Sequence, residues 1–157
     1  MEGKEFIGRT DSIVSDGCKN QVLTTLNWRT YPYMQISITT KDTPLVLDDV
    51  YGTFTGYPFQ AKAKLETDNA ELTKMLEIGR RSTRSCAMET YMDCPFYEQL
   101  QYIGDSRIQA LVSIYNFGDA RLVRNALNQM NYSQQIKGFT ASLHPSVDNF
   151  TPKDDFL

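Results

Sequence analysis

The chain has 157 residues, a net charge of −3, 41% hydrophobic and 22% charged residues. Those values suit one soluble domain or two small ones. Lys and Arg are scattered, which argues against a nucleic-acid partner, since phosphate binding needs a concentrated basic face. No stretch is long and apolar enough to span a bilayer, and the first nine residues lack the apolar run of a signal peptide.

From about Asn20 to Lys64 the pattern is that of strands. Residues 34–40, Met-Gln-Ile-Ser-Ile-Thr-Thr, alternate apolar and polar side chains with β-branched enrichment. Lys41 to Thr43 reads as a turn, Pro44 to Tyr51 as a second strand, and residues 52–58 as a strand broken by glycines. Residues 59–65 alternate again.

Beyond Asp68 the period changes to that of helices. Asp68 and Asn69 offer an N-cap with Glu71 in the first turn, and Leu72, Met75, Leu76 and Gly79 recur at helical spacing in a helix that can run to about Met88. A second helix is predicted from near Asp105 and Ser106, with Ile108, Leu111, Val112 and Tyr115 on one face. Residues 116–119, Asn-Phe-Gly-Asp, break it. A third runs from about Asp119 to Asn131 on Leu122, Val123, Ala126, Leu127 and Met130. A loop from Ser133 to Pro145 and a fraying polar tail from Ser146 complete the chain. Sequons at Asn131 and Asn149 carry little weight.

Chemistry concentrates between the first two helices. Asp93, Glu98 and Asp105 fall within thirteen residues, interleaved with Phe96, Tyr97 and Tyr102. Carboxylates accept hydrogen bonds from sugar hydroxyls, and flat rings cover sugar C–H faces. A carboxyl among apolar rings can keep its proton near neutral pH and serve as a general acid. Each acid also has a plainer reading: Glu98 as a loop acid, Asp105 as the N-cap of the second helix, and Asp93 as a turn residue before Cys94-Pro95. Tyr97 and Tyr102 read equally as packing rings. A Ca²⁺ site from Glu89, Asp93, Glu98 and Asp105 does not fit an EF-hand spacing. The three cysteines match no zinc pattern, and no metal or organic cofactor is expected.

Residues 91–113, Tyr-Met-Asp-Cys-Pro-Phe-Tyr-Glu-Gln-Leu-Gln-Tyr-Ile-Gly-Asp-Ser-Arg-Ile-Gln-Ala-Leu-Val-Ser, resemble the active-site signature of bacterial α-L-rhamnosidases, glycoside hydrolase family 78. Trp28 to Ile36, Thr55 to Phe59, Glu77 to Arg80, Gly138 to Thr140 and His144 to Ser146 follow the family's order. The resemblance implies an α+β chain: residues 1–65 as antiparallel strands ending a β-sandwich, and residues 66–157 as the opening helices of an incomplete (α/α)6 six-hairpin barrel. It implies inverting hydrolysis of terminal α-L-rhamnosides, with Glu98 as the general acid and Asp93 and Asp105 holding rhamnose hydroxyls. Tyr102 and Tyr97 would line the pocket. Its partner would be a rhamnose-containing glycoside or polysaccharide, acted on in the periplasm or outside the cell. An inverting hydrolase also needs a second carboxylate about 6.5–9.5 Å from the first. In the family that base comes from later in the barrel, so the chain alone is expected to be weakly active or inactive. Glu89 and Asp119 are the first candidates for a base within it. A non-catalytic carbohydrate-binding module is the alternative, and uncovered helix faces are expected to drive self-association.

Overall fold

The structure, a computed structural model, describes residues 3, 5, 7–134 and 138–147. Part of the predicted loop after Ser133 and the tail beyond residue 147, with the sequon at Asn149, lie outside the described residues. The chain divides into two units, Met1–Thr53 and Phe54–Leu157.

The first unit overturns the predicted strands. Among its described residues there is no strand, and only Trp28 and Arg29 are even half-buried. The alternation at 34–40 is present, yet Met34, Ile36 and Ile38 are each about half exposed, because no second layer covers that face. Alternation makes one side of a strand apolar. It does not supply the neighbour whose N–H and C=O groups complete a ladder. Within the unit, Arg29 pairs with Asp11 at 2.9 Å.

The second unit is helical. Residues 59–65, also predicted as a strand, form no strand. The N–H groups of Lys62 and Ala63 both donate to the carbonyl of Asn116 at 3.0 Å, and Tyr57 N–H donates to Ala87 O at 2.8 Å. The segment is thus held by bonds to the helical part, not by a sheet.

Helix α1 spans Ala70–Ser85. Asn69 caps it by accepting from Glu71 N–H at 2.9 Å, while Glu71 and Arg84 complement the helix dipole at its two ends. It stops three residues short of Met88, because Cys86 leaves the helical region and residues 87–91 form a tight reversal closed by an isolated antiparallel bridge between Ala87 and Tyr91. No residue of α1 is buried.

Helix α2, Ile103–Val112, starts two residues before the predicted Asp105, with Tyr102 at its N-cap. It runs into a π-helical turn, Ser113–Phe117, that ends at Gly118 with φ 59° and ψ 31°. This left-handed residue is the predicted break, and glycine takes that conformation without a Cβ penalty. Helix α3, Arg121–Tyr132, packs on α2 and buries Leu122, Ala126 and Met130 of the predicted face; Val123 is half-buried, and Leu127, also predicted there, is exposed.

The core joins Ala87, Tyr91, Leu122 and Ala126, with Tyr57, Phe59 and Val123 against it. Phe59 stacks on the buried Phe117 at 4.3 Å, and Tyr57 meets Phe59 edge-on at 4.6 Å. Burying a ring such as Tyr91 or Phe117 contributes about 1.5–3 kcal/mol. Tyr91 thus seats the start of the connection between α1 and α2, which carries Asp93 and Glu98, in the core.

Candidate active site

The acidic segment is a closed loop. Asp93 and Leu100 exchange two bonds across its neck: Asp93 N–H donates to Leu100 O, and Leu100 N–H donates to the Asp93 carboxylate, both at 2.9 Å. Gln99 turns the chain with φ 57° and donates from its side chain to Pro95 O at 3.0 Å. Below the neck, Tyr91 N–H donates to the side-chain oxygen of Gln101 at 3.2 Å. The Tyr91 hydroxyl donates to Ser113 Oγ at 2.7 Å inside the core. Gln109 on α2 donates to Met92 O at 2.6 Å. Two helices and the core therefore hold the loop's base, while its tip is open.

This closure brings Asp93 and Glu98 together. One donor atom each of Asp93, Cys94 and Glu98 lie within 4.8 Å of one another. The Glu98 carboxyl shares a hydrogen bond with Asp93, and that bond, followed by the Asp93 charge, raises its proton affinity above the ordinary glutamate value. Burial and the charge of Asp105 add smaller pushes in the same direction. For Asp93, burial pushes upward. The bond from Glu98, the N–H of Leu100, and the thiol and N–H of Cys94 outweigh it and leave the carboxyl below its ordinary range. The contact thus pushes the two carboxyls in opposite directions, Glu98 upward and Asp93 downward.

The sequence reading expected burial among rings to keep Glu98 protonated. The structure gives a different cause: Glu98 is exposed, and its neighbour acid does the work. A hollow of about 400 Å³ lies elsewhere, between Pro58, Lys62, Phe117, Asp119, Arg121 and Arg124.

Tyr102 is half-buried beside the acids. Burial first, then the charges of Glu98, Asp93, Asp105 and Cys94, push its phenol upward. Tyr97 sits at the loop's open tip, 78% exposed, edge-on to Phe96 at 4.9 Å. Asp105 occupies the first turn of α2 and makes no cap; the predicted N-cap role passes to Tyr102, whose side chain makes no capping bond either. Of the two in-chain base candidates, Glu89 is exposed on the 87–91 reversal. Asp119 is engaged: Arg121 donates to both its oxygens, at 3.0 and 2.6 Å, and the Tyr57 hydroxyl donates at 3.1 Å. The Arg121 bond leads the effects that hold Asp119 well below the usual carboxylate range.

Sequence reasoning missed Gln101. It is 2% exposed, donates to Gln129 Oε1 and to His144 O at 2.8 Å each, and accepts from Tyr91. A glutamine between two site residues gave no periodic or compositional signal. His144, the single histidine of the sequence, acts here through its backbone.

A family model for the bacterial alpha-L-rhamnosidase six-hairpin glycosidase domain matches residues 60–155. Among solved structures, the glycoside hydrolase family 78 rhamnosidase of Bacillus sp. GL1 is similar at 35% identity and a TM-score of 0.56, over 60% of this chain. The chain spans 10% of that protein's length. A search of curated proteins found no match. The match over most of the chain, with the acidic loop inside it, shows that this chain belongs to the bacterial α-L-rhamnosidase six-hairpin glycosidase family.

Proposed function

We propose that the chain carries the proton-donor half of an α-L-rhamnosidase active site. Glu98 is the general acid, Asp93 and Asp105 receive rhamnose hydroxyls, and Tyr102 and Tyr97 flank the sugar. The observation that carries this is the Asp93–Glu98 contact, which raises the proton affinity of an exposed glutamate within the family's matched segment. In the complete reaction Glu98 protonates the glycosidic oxygen while water attacks the opposite face of the sugar, giving inversion. Asp93, held ionised, accepts from hydroxyls that become better donors as positive charge develops on the ring. The substrate class is a rhamnose-containing glycoside or polysaccharide. Among the described residues no helix is long and apolar enough to cross a membrane, and action in the periplasm or outside the cell fits such a substrate.

Activation of water needs a base, and Asp119 is engaged by Arg121 and Tyr57. That engagement favours a second reading for the chain by itself: a carbohydrate-binding module with little or no turnover. Titration of L-rhamnose into the chain, followed by NMR, tests both readings. They require saturable binding that Asp93→Ala weakens; its absence overturns both. Release of chromophore from an aryl α-L-rhamnoside, abolished by Glu98→Gln, then selects the enzyme. Binding without release selects the module.

A further inference from the structure

The Asp93–Glu98 contact depends on a loop of which only the neck is tied down. Two of the ties are the exchanged bonds between Asp93 and Leu100. The next residue, Gln101, anchors that neck to the rest of the molecule. Its side-chain oxygen accepts from Tyr91 N–H on the incoming limb, at 3.2 Å. Its amide nitrogen donates to Gln129 Oε1 on α3 and to His144 O on the later loop, both at 2.8 Å. Its backbone oxygen accepts from His144 N–H at 3.2 Å. One buried amide thus uses its acceptor and its two donors to clamp three separate segments. Tyr91 lies two residues before Asp93, and Gln101 three after Glu98, so the clamp fixes both limbs of the loop at once.

We propose that Gln101 is a positioning residue, which holds the loop closed so that Asp93 and Glu98 stay in contact. The inference rests on the reading of these two acids as the working pair. An apolar side chain of similar length would fill the same space and leave Tyr91 N–H, Gln129 Oε1 and His144 O without this partner. The limbs of the loop would then part, and Glu98 would behave as an ordinary surface glutamate. Ser113 offers a control: it is as deeply buried and bonds Tyr91 from the other side, but touches neither acid.

The test follows the Glu98 side-chain carboxyl by carbon-detected NMR across pH in the 157-residue chain, in wild type, Gln101→Met and Ser113→Ala, with melting temperature recorded for each. The expected result is a Glu98 titration above the ordinary glutamate value in wild type and in Ser113→Ala. In Gln101→Met it falls back towards the ordinary value, by more than the spread between the other two. A wild-type titration above the ordinary value that Gln101→Met leaves in place overturns the positioning role alone. An ordinary titration in wild type overturns the acid-pair reading and the positioning role with it. Should Gln101→Met not fold, Gln129→Met decides. It removes one of the acceptors of the Gln101 amide, and a partial fall supports the role while an unmoved titration overturns it.

Discussion

Tyr91 donates its hydroxyl to Ser113 Oγ at 2.7 Å, and both side chains are fully buried. This bond joins the base of the acidic loop to the end of α2. Tyr91→Phe keeps the ring and its packing but removes the donor, leaving the Ser113 hydroxyl buried without it. A stability loss of about 1–3 kcal/mol is expected, the cost of a buried polar group deprived of its partner. Denaturant titration measures it; a change under a few tenths of a kcal/mol would mean that the bond contributes little to the core.

Arg121 and Asp119 supply a pH-dependent element. The folded Asp119 carboxyl is held low, chiefly by its bond with Arg121. A depressed carboxylate stabilises the fold above its unfolded pKa, about 3.9, and that contribution disappears as pH falls through the lower folded value. Because the Arg121 side chain is 64% exposed, solvent screens the pair, and Asp119→Asn is expected to cost about 1 kcal/mol at pH 7. The gap between wild type and variant should persist at pH 5 and close in strong acid. Melting curves across pH check this, and a gap that widens in acid would contradict it.

Gly118 sits at φ 59°, where the π turn gives way to α3. A Cβ there would find only Lys62 nearby, its Cδ at 3.4 Å, which is ordinary contact. The penalty for Gly118→Ala is therefore conformational, about 1–2 kcal/mol. Thermal unfolding reads it directly, and an unchanged melting temperature would show that the turn can relax.

On α1 the apolar stripe is uncovered: Leu72, Met75 and Ile78 are 44%, 65% and 54% exposed. In the chain alone these side chains are expected to drive association. Replacing Leu72 and Met75 with Lys should lower the concentration dependence of mass in sedimentation, at a stability change within about 0.5 kcal/mol for each surface site. Persistent association in the double variant would place the contact elsewhere.

Much of the helical unit could be read from the chain. Asn69 and Glu71 announced the start of α1, Gly118 the break, and the helical spacing most of the buried face of α3, where Leu122, Ala126 and Met130 are covered and Leu127 is not. These signals are local and need no partner. The strands failed because Met34, Ile36 and Ile38 encode only a preference for one apolar side, and sheet formation depends on a second segment that sequence alternation cannot name. The acids were legible as a cluster, but the cause of their behaviour was not. Closure of the loop depends on Gln101 reaching α3 and on Leu100 reaching back to Asp93, contacts without periodicity.

The central claim is that Asp93 raises the proton affinity of Glu98. A raised carboxyl stays protonated to higher pH than an ordinary glutamate and loses its proton only as pH climbs through that raised value. Asp93→Asn removes the charge and leaves Glu98 exposed to water, so its titration must fall towards the ordinary range. Comparing the Glu98 carboxyl titration in wild type and Asp93→Asn is the most direct measurement. A raised wild-type value that drops in the variant is predicted, and a Glu98 titration identical in the two proteins would contradict the account.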